Sequence, residues 1–231
     1  MIDSKHNLEQ TAVGYGLLPF FANNIPGFSV QEMAAPGMLF GETSDDYGCW
    51  EWKGPVIREQ TTAYGKFFRK KAGFVSIGLL PDFINYRRAA YPVVQGSEDA
   101  DILEIVRMHE CITSTDLKKT IFGTPARSRK PSGLIYPAET VKPKRHSLEG
   151  ALQRLQMGGW LLIADFEYKY TAAGDRYGWG VALYSTPEIW FDDPAIAVVD
   201  RAPEESLYQL VDHLSKKLPC VPLREIERLL K

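Results

Sequence analysis

Asp45, Asp46 and Glu51 crowd the segment DDYGCWEWKGPVI, with Trp50, Trp52 and Lys53 among them. Carboxylates can activate water, or stabilise the positive charge that develops on a sugar carbon as a glycosidic bond breaks. An indole nearby can stack on a base turned out of a duplex. Tyr64 or Lys66 is a potential partner for such acids. No spacing rule joins these three carboxylates into a pair, and loop acids are commonly just solvated. Other catalytic signatures are lacking. There is no Walker loop, no Gly-x-Ser-x-Gly, no kinase motif and no His-Glu-x-x-His, and Gly14-Tyr15-Gly16 lacks the rest of a dinucleotide fingerprint. Cys49, Cys111 and Cys220 lie far apart, as do His6, His109, His146 and His213. Reduced, mostly buried thiols are expected, with no metal site and no cofactor.

A second group of residues suits phosphate. Between Lys118 and His146 the chain carries Lys118, Lys119, Arg127, Arg129, Lys130, Lys142, Lys144 and Arg145, against the single acid Glu139. Pro125, Pro131, Pro137 and Pro143 keep this stretch from forming a long helix. Upstream, Lys66, Arg69, Lys70, Lys71, Arg87 and Arg88 are interleaved with aromatic residues. Such mixing fits nucleic-acid contact, and it fits equally a surface helix with a buried apolar side.

The elements that must position these groups are clearest in the middle of the chain. In DILEIVRMHE, Ile102, Ile105 and Val106 recur at helical spacing, widened by Leu103. In ITSTDLKKTIFG, Thr113, Ser114 or Thr115 can cap a short second helix that ends near Gly123. In HSLEGALQRLQMGGW, Ser147 is a fitting cap, and Leu148, Ala151, Leu152 and Leu155 form one stripe. Its other side presents Glu149, Gly150, Gln153, Arg154 and Met157. Two strand-like runs follow, Trp160 to Tyr170 and Trp179 to Ser185, around turn residues that include Gly174, Asp175 and Gly178.

Three helices and a hairpin in this order predict a winged helix-turn-helix module. The expected class is therefore α+β: an aromatic-rich α+β region over 1–96, a winged-helix domain over 97–191 and a helical extension over 192–231. A recognition helix fits the major groove. Base-edge contacts are expected from Gln153 and Arg154, and backbone contacts from Lys142, Lys144, Arg145, Arg176 and Tyr177, the last two at the hairpin tip. Double-stranded DNA is the expected partner.

The 231 residues carry a net charge of −2, so any DNA contact must come from a local patch. No apolar run reaches bilayer length and the N-terminus is polar, so a cytoplasmic protein without a membrane partner is expected. In the C-terminal part, Leu207, Leu210, Val211 and Leu214 form a stripe that either closes the core or joins two copies in a homodimer.

The strings WEWKGP, AYGKFFRKKAGF, LEGALQRLQMGGWL and YGWGVALYSTPEIWF resemble a group of bacterial proteins called AlkZ-related, over about Val13 to Pro203. The group's name reflects a distant likeness to the winged-helix alkylpurine DNA glycosylases. The resemblance implies a winged-helix fold and a role tied to DNA repair. Those glycosylases use a Gln-x-Gln motif, which this sequence lacks, so no catalytic residue carries over. Three functions follow from the sequence: a non-enzymatic DNA-binding protein, a divergent base glycosylase using the acids of Asp45 to Glu51, or a protein-interaction scaffold.

Overall fold

Short polar caps set the helix starts along this chain. The Ser4, Ser29, Ser97, Thr113 and Thr186 hydroxyls each accept a backbone N–H from the first turn of the helix that follows, satisfying donors that have no partner within a helix. The computed structural model describes residues 1–41, 47–123, 146–174 and 176–231, and all their side chains but those of His146, Ser147 and Tyr177. In chain order the elements are α1 (Lys5–Tyr15), β1 (Leu17–Pro19), α2 (Val30–Met33), α3 (Cys49–Arg58), β2 (Thr62–Phe68), β3 (Lys71–Ser76), α4 (Leu80–Ala90), α5 (Glu98–His109), β4 (Ile112–Thr113), α6 (Ser114–Phe122), α7 (His146–Met157), β5 (Leu162–Tyr170), β6 (Arg176–Ser185), α8 (Pro187–Trp190), α9 (Pro203–Lys217) and α10 (Leu223–Leu230).

The protein is mixed α+β, with two small antiparallel sheets. The first has strand order β1-β3-β2 and the second β4-β6-β5. The segment AYGKFFRKKAGFVS is thus a hairpin, not the surface helix that its mixed cations and aromatics also allowed. Its strands meet glycine to glycine, Gly65 opposite Gly73. A Cβ on Gly73 would lie 2.5 Å from the Phe68 ring and 2.6 Å from the Leu18 carbonyl oxygen, so glycine lets the three strands close here. Pairing slips between Gly65 and Phe68. That slip leaves Lys66 outward while Phe67 and Phe68 are both buried.

In the second half, helix α5, strand β4, helices α6 and α7 and the hairpin β5–β6 follow one another, and β6 lies between β4 and β5. The expected helices fall where the apolar spacing placed them. Thr113 is the cap of α6 and Gly123 ends it. Helix α7 starts at His146, one residue ahead of the expected cap, so Ser147 lies inside it. Strand β6 begins at Arg176, earlier than expected, because the ladder continues to a Tyr170–Arg176 pair beside the turn.

One apolar core runs through all three parts of the chain, from Ile2 through Phe74 and Leu152 to Leu230. The stripe of α9 is spent within it. Leu210, Val211 and Leu214 are buried, and α9 packs on α4. Among the described residues no helix is long and apolar enough to cross a membrane.

Candidate functional site

Helix periodicity on α3 separates two kinds of residue. Cys49, Lys53, Val56 and Ile57 turn inward. Glu51, Pro55 and Arg58 share the opposite side and form one wall of a cleft of about 470 Å³. Phe166, Tyr168 and Tyr170, spaced by two on β5, form the other wall, joined by Tyr47, Trp52 and Arg176. The volume lies within the range of small-ligand pockets.

Two ion pairs bridge the walls. Arg58 Nη1 donates to both oxygens of Asp165, at 2.7 and 2.9 Å. Arg176 Nη2 donates to Glu51 Oε1 at 3.1 Å. The Arg176 guanidinium also lies 4.1 Å from the centre of the Tyr168 ring and 5.7 Å from that of Tyr47. The second Glu51 oxygen is buried without a hydrogen-bond partner among the described residues. Behind this wall, Lys53 is 1% exposed. Its ammonium donates to the Trp50 carbonyl oxygen and lies 3.7 Å from the Trp50 ring centre and 4.3 Å from that of Phe166. Burial pulls its pKa down to about 7, opposed by the Glu51 charge and assisted by Arg176. Burial likewise pushes the Cys49 thiol up to about 11. Cys111 is half-buried, and Cys220 is exposed, contrary to the expectation of buried thiols.

Among the described residues, Glu51 is therefore the expected acid that lies in a cleft. Its partner is Arg176, not Tyr64 or Lys66: Tyr64 is buried among Phe20, Phe74 and Phe166, and Lys66 faces out. Asp45 and Asp46 lie outside the described residues, as do Lys142, Lys144 and Arg145 and the side chain of Tyr177. Arg176 itself turns back onto the body of the protein, where it pairs with Glu51.

Helix α7 has two different sides. One side is covered, into the last turn: Met157 is buried, although the stripe pattern put it on the outer side, and Gln156 is 1% exposed. Gln156 Oε1 accepts the Lys66 backbone N–H at 3.1 Å, and its Nε2 donates to the Leu152 carbonyl oxygen at 3.0 Å. The slip in β2 thus finds its missing acceptor on α7. On the other side Glu149 and Arg154 are exposed and Gly150 and Gln153 half-exposed. Arg154 is held by Asp99 of α5 through two hydrogen bonds of 2.6 and 3.0 Å.

Arg87 proves to be internal and Arg88 half-buried. Arg87 is fully buried and donates to the Phe67 carbonyl oxygen at 2.5 Å. Arg88 pairs with Glu188 at 2.7 Å and donates to the Gly159 carbonyl oxygen at 3.3 Å.

A family model described as AlkZ related matches residues 2–231. The chain belongs to the AlkZ-related family. Membership links this AlkZ-related protein to DNA repair, in keeping with the strings that carried the resemblance. Neither the curated proteins nor the solved structures contain a match. The roles of Lys53, Arg58 and Gln156 were not anticipated. For Arg58 the signal was present, since it stands seven residues after Glu51 on one helix; for Lys53 and Gln156 burial depends on distant partners.

Proposed function

We propose that this AlkZ-related protein binds double-stranded DNA through a winged helix-turn-helix formed by α5 to β6, in a role linked to repair of alkylated DNA. The observation that carries it is the order α5, β4, α6, α7, β5, β6 with β6 central in the sheet. A winged helix has this order, and α7 stands in the place of its recognition helix. The exposed side of α7 offers Gln153 and Arg154, both in its C-terminal half, for base edges. The Asp99 pair is solvent-accessible, so releasing Arg154 to a guanine or phosphate costs little, about 0.2–1 kcal/mol. Lys142, Lys144 and Arg145 precede α7 directly and supply phosphate contacts.

Fluorescence anisotropy with a labelled duplex tests this. Gln153→Ala with Arg154→Ala should weaken binding to a preferred sequence by about 1–3 kcal/mol for each base-edge hydrogen-bonding side chain removed, with little change on random duplex. Equal affinity of wild type and variant for every sequence would remove α7 from the interface.

A second function, base excision, has one observation in its favour: the aromatic cleft with a buried, half-satisfied Glu51 carboxylate. Aromatic walls suit a base rotated out of the duplex, and a carboxylate suits the charge that develops on its sugar. Incubating stoichiometric protein with alkylated duplex should then release free base, and Glu51→Gln should abolish the release. No released base would leave DNA binding alone.

A further inference from the structure

Most described cations near α7 and the cleft have a carboxylate partner: Arg58 has Asp165, Arg88 has Glu188, Arg154 has Asp99 and Arg176 has Glu51. The β2–β3 hairpin differs. Lys66, Arg69 and Lys70 are exposed and have no carboxylate within ion-pair distance among the described residues. Lys71 donates to the Ala22 carbonyl oxygen at 2.7 Å, which fastens the hairpin to the preceding loop.

The turn itself is unusual. Phe68 pairs with Lys71, so Arg69 and Lys70 alone make the connection, with φ of +48° and +71°. A two-residue turn with both φ positive favours Asn-Gly. Two long cations here carry backbone strain, and neither forms an ion pair among the described residues. The hairpin is also tied to the proposed recognition helix, because Gln156 accepts the Lys66 N–H. Gln156 is three residues from Gln153, less than one helical turn.

We propose that the β2–β3 hairpin is a second DNA-backbone clamp, with Lys66, Arg69 and Lys70 each neutralising a phosphate of the duplex that α7 engages. The proposal rests on the DNA-binding function above. Duplex DNA fits better than a lipid surface because the hairpin's apolar side chains, Phe67 and Phe68, are 1% exposed and leave nothing to insert beside the cations.

The test uses the full chain and a labelled 20-base-pair duplex at about 50 to 200 mM salt. Two variants are compared with wild type: Lys66→Gln, and Arg69→Asn with Lys70→Gly. The second places the favoured residues in the turn, so its melting temperature should hold or rise. The clamp predicts that the slope of log affinity against log salt becomes shallower by about 0.9 for each phosphate no longer neutralised. Affinity should also fall at least about tenfold for the double variant. Unchanged slopes in both variants, with wild type binding normally, would overturn the clamp and leave α7 standing. Loss of binding to phosphatidylserine vesicles with unchanged duplex slopes would reassign the hairpin to a membrane surface. A wild type without salt-dependent duplex binding would overturn the clamp and the DNA-binding function together.

Discussion

The two hairpins of this protein are built alike and left in opposite states. Both pair aromatic-rich strands and carry arginine at or beside the turn. In β5–β6, Arg176 folds back onto Glu51 and under Tyr168. In β2–β3, Arg69 and Lys70 stand out from the body, where the recess beside them offers only amides and apolar groups such as Asn23, Asn24 and Leu229. The difference lies in the neighbouring element. Helix α3 brings a carboxylate into ion-pair distance of one hairpin, whereas the Glu225 carboxylate beside the other hairpin's recess is taken by Asn24 and Arg228. Whether a cation is available to an anionic partner is thus decided by tertiary neighbours.

The comparison can be broken most forcefully at Glu51. Glu51→Ala leaves Arg176, 29% exposed, without its carboxylate; a loss of about 3 kcal/mol in urea unfolding is expected, since removing one partner strands a charge. A midpoint unchanged from wild type would mean that Arg176 is already free. Gln156→Ala attacks the anchor of the other hairpin. It removes the acceptor of the Lys66 N–H and should cost about 2 kcal/mol in the same measurement.

Lys53→Met probes the charge behind the cleft. With a folded pKa of about 7 against an ordinary value of 10.5, the unfolded chain holds a proton in that window which the folded chain has released. Stability from this group is therefore complete above the unfolded value and is lost as pH falls toward 7. Wild-type stability should rise between pH 7 and 10 by up to about 1.4 kcal/mol per unit from this residue. In Lys53→Met that component should vanish, and identical pH profiles would refute the assignment. The smallest effect is expected at the exposed Arg154–Asp99 pair. Asp99→Ala frees Arg154 and should tighten duplex binding a few-fold, about 0.5 kcal/mol, read by anisotropy.

Much of the second half was legible from the sequence because local signals agree there. Thr113 and Gly123 delimit α6, and Leu148, Ala151, Leu152 and Leu155 lie on the buried side of α7. The first half was harder. Phe67-Phe68 next to Arg69-Lys70 has neither a clean period of two nor one of 3.6, because the slip in β2 turns consecutive residues inward. The site was legible at Glu51 and Trp52, whose types marked them, and Arg176 was singled out for a different contact. Arg87 and Arg88 could not be told from Arg69 and Lys70 by charge, since the backbone carbonyls of Phe67 and Gly159 that hold them come from distant positions. Gln156 looked like one more polar residue of α7 until β2 was packed on it.

Hydrogen–deuterium exchange of the intact chain with and without duplex DNA tests the central claim most directly. Slowed exchange at the β2–β3 turn and across residues 149–154, with α9 unaffected, is the predicted pattern. Slowing confined to α9 and α10, or none at saturating duplex, would contradict it.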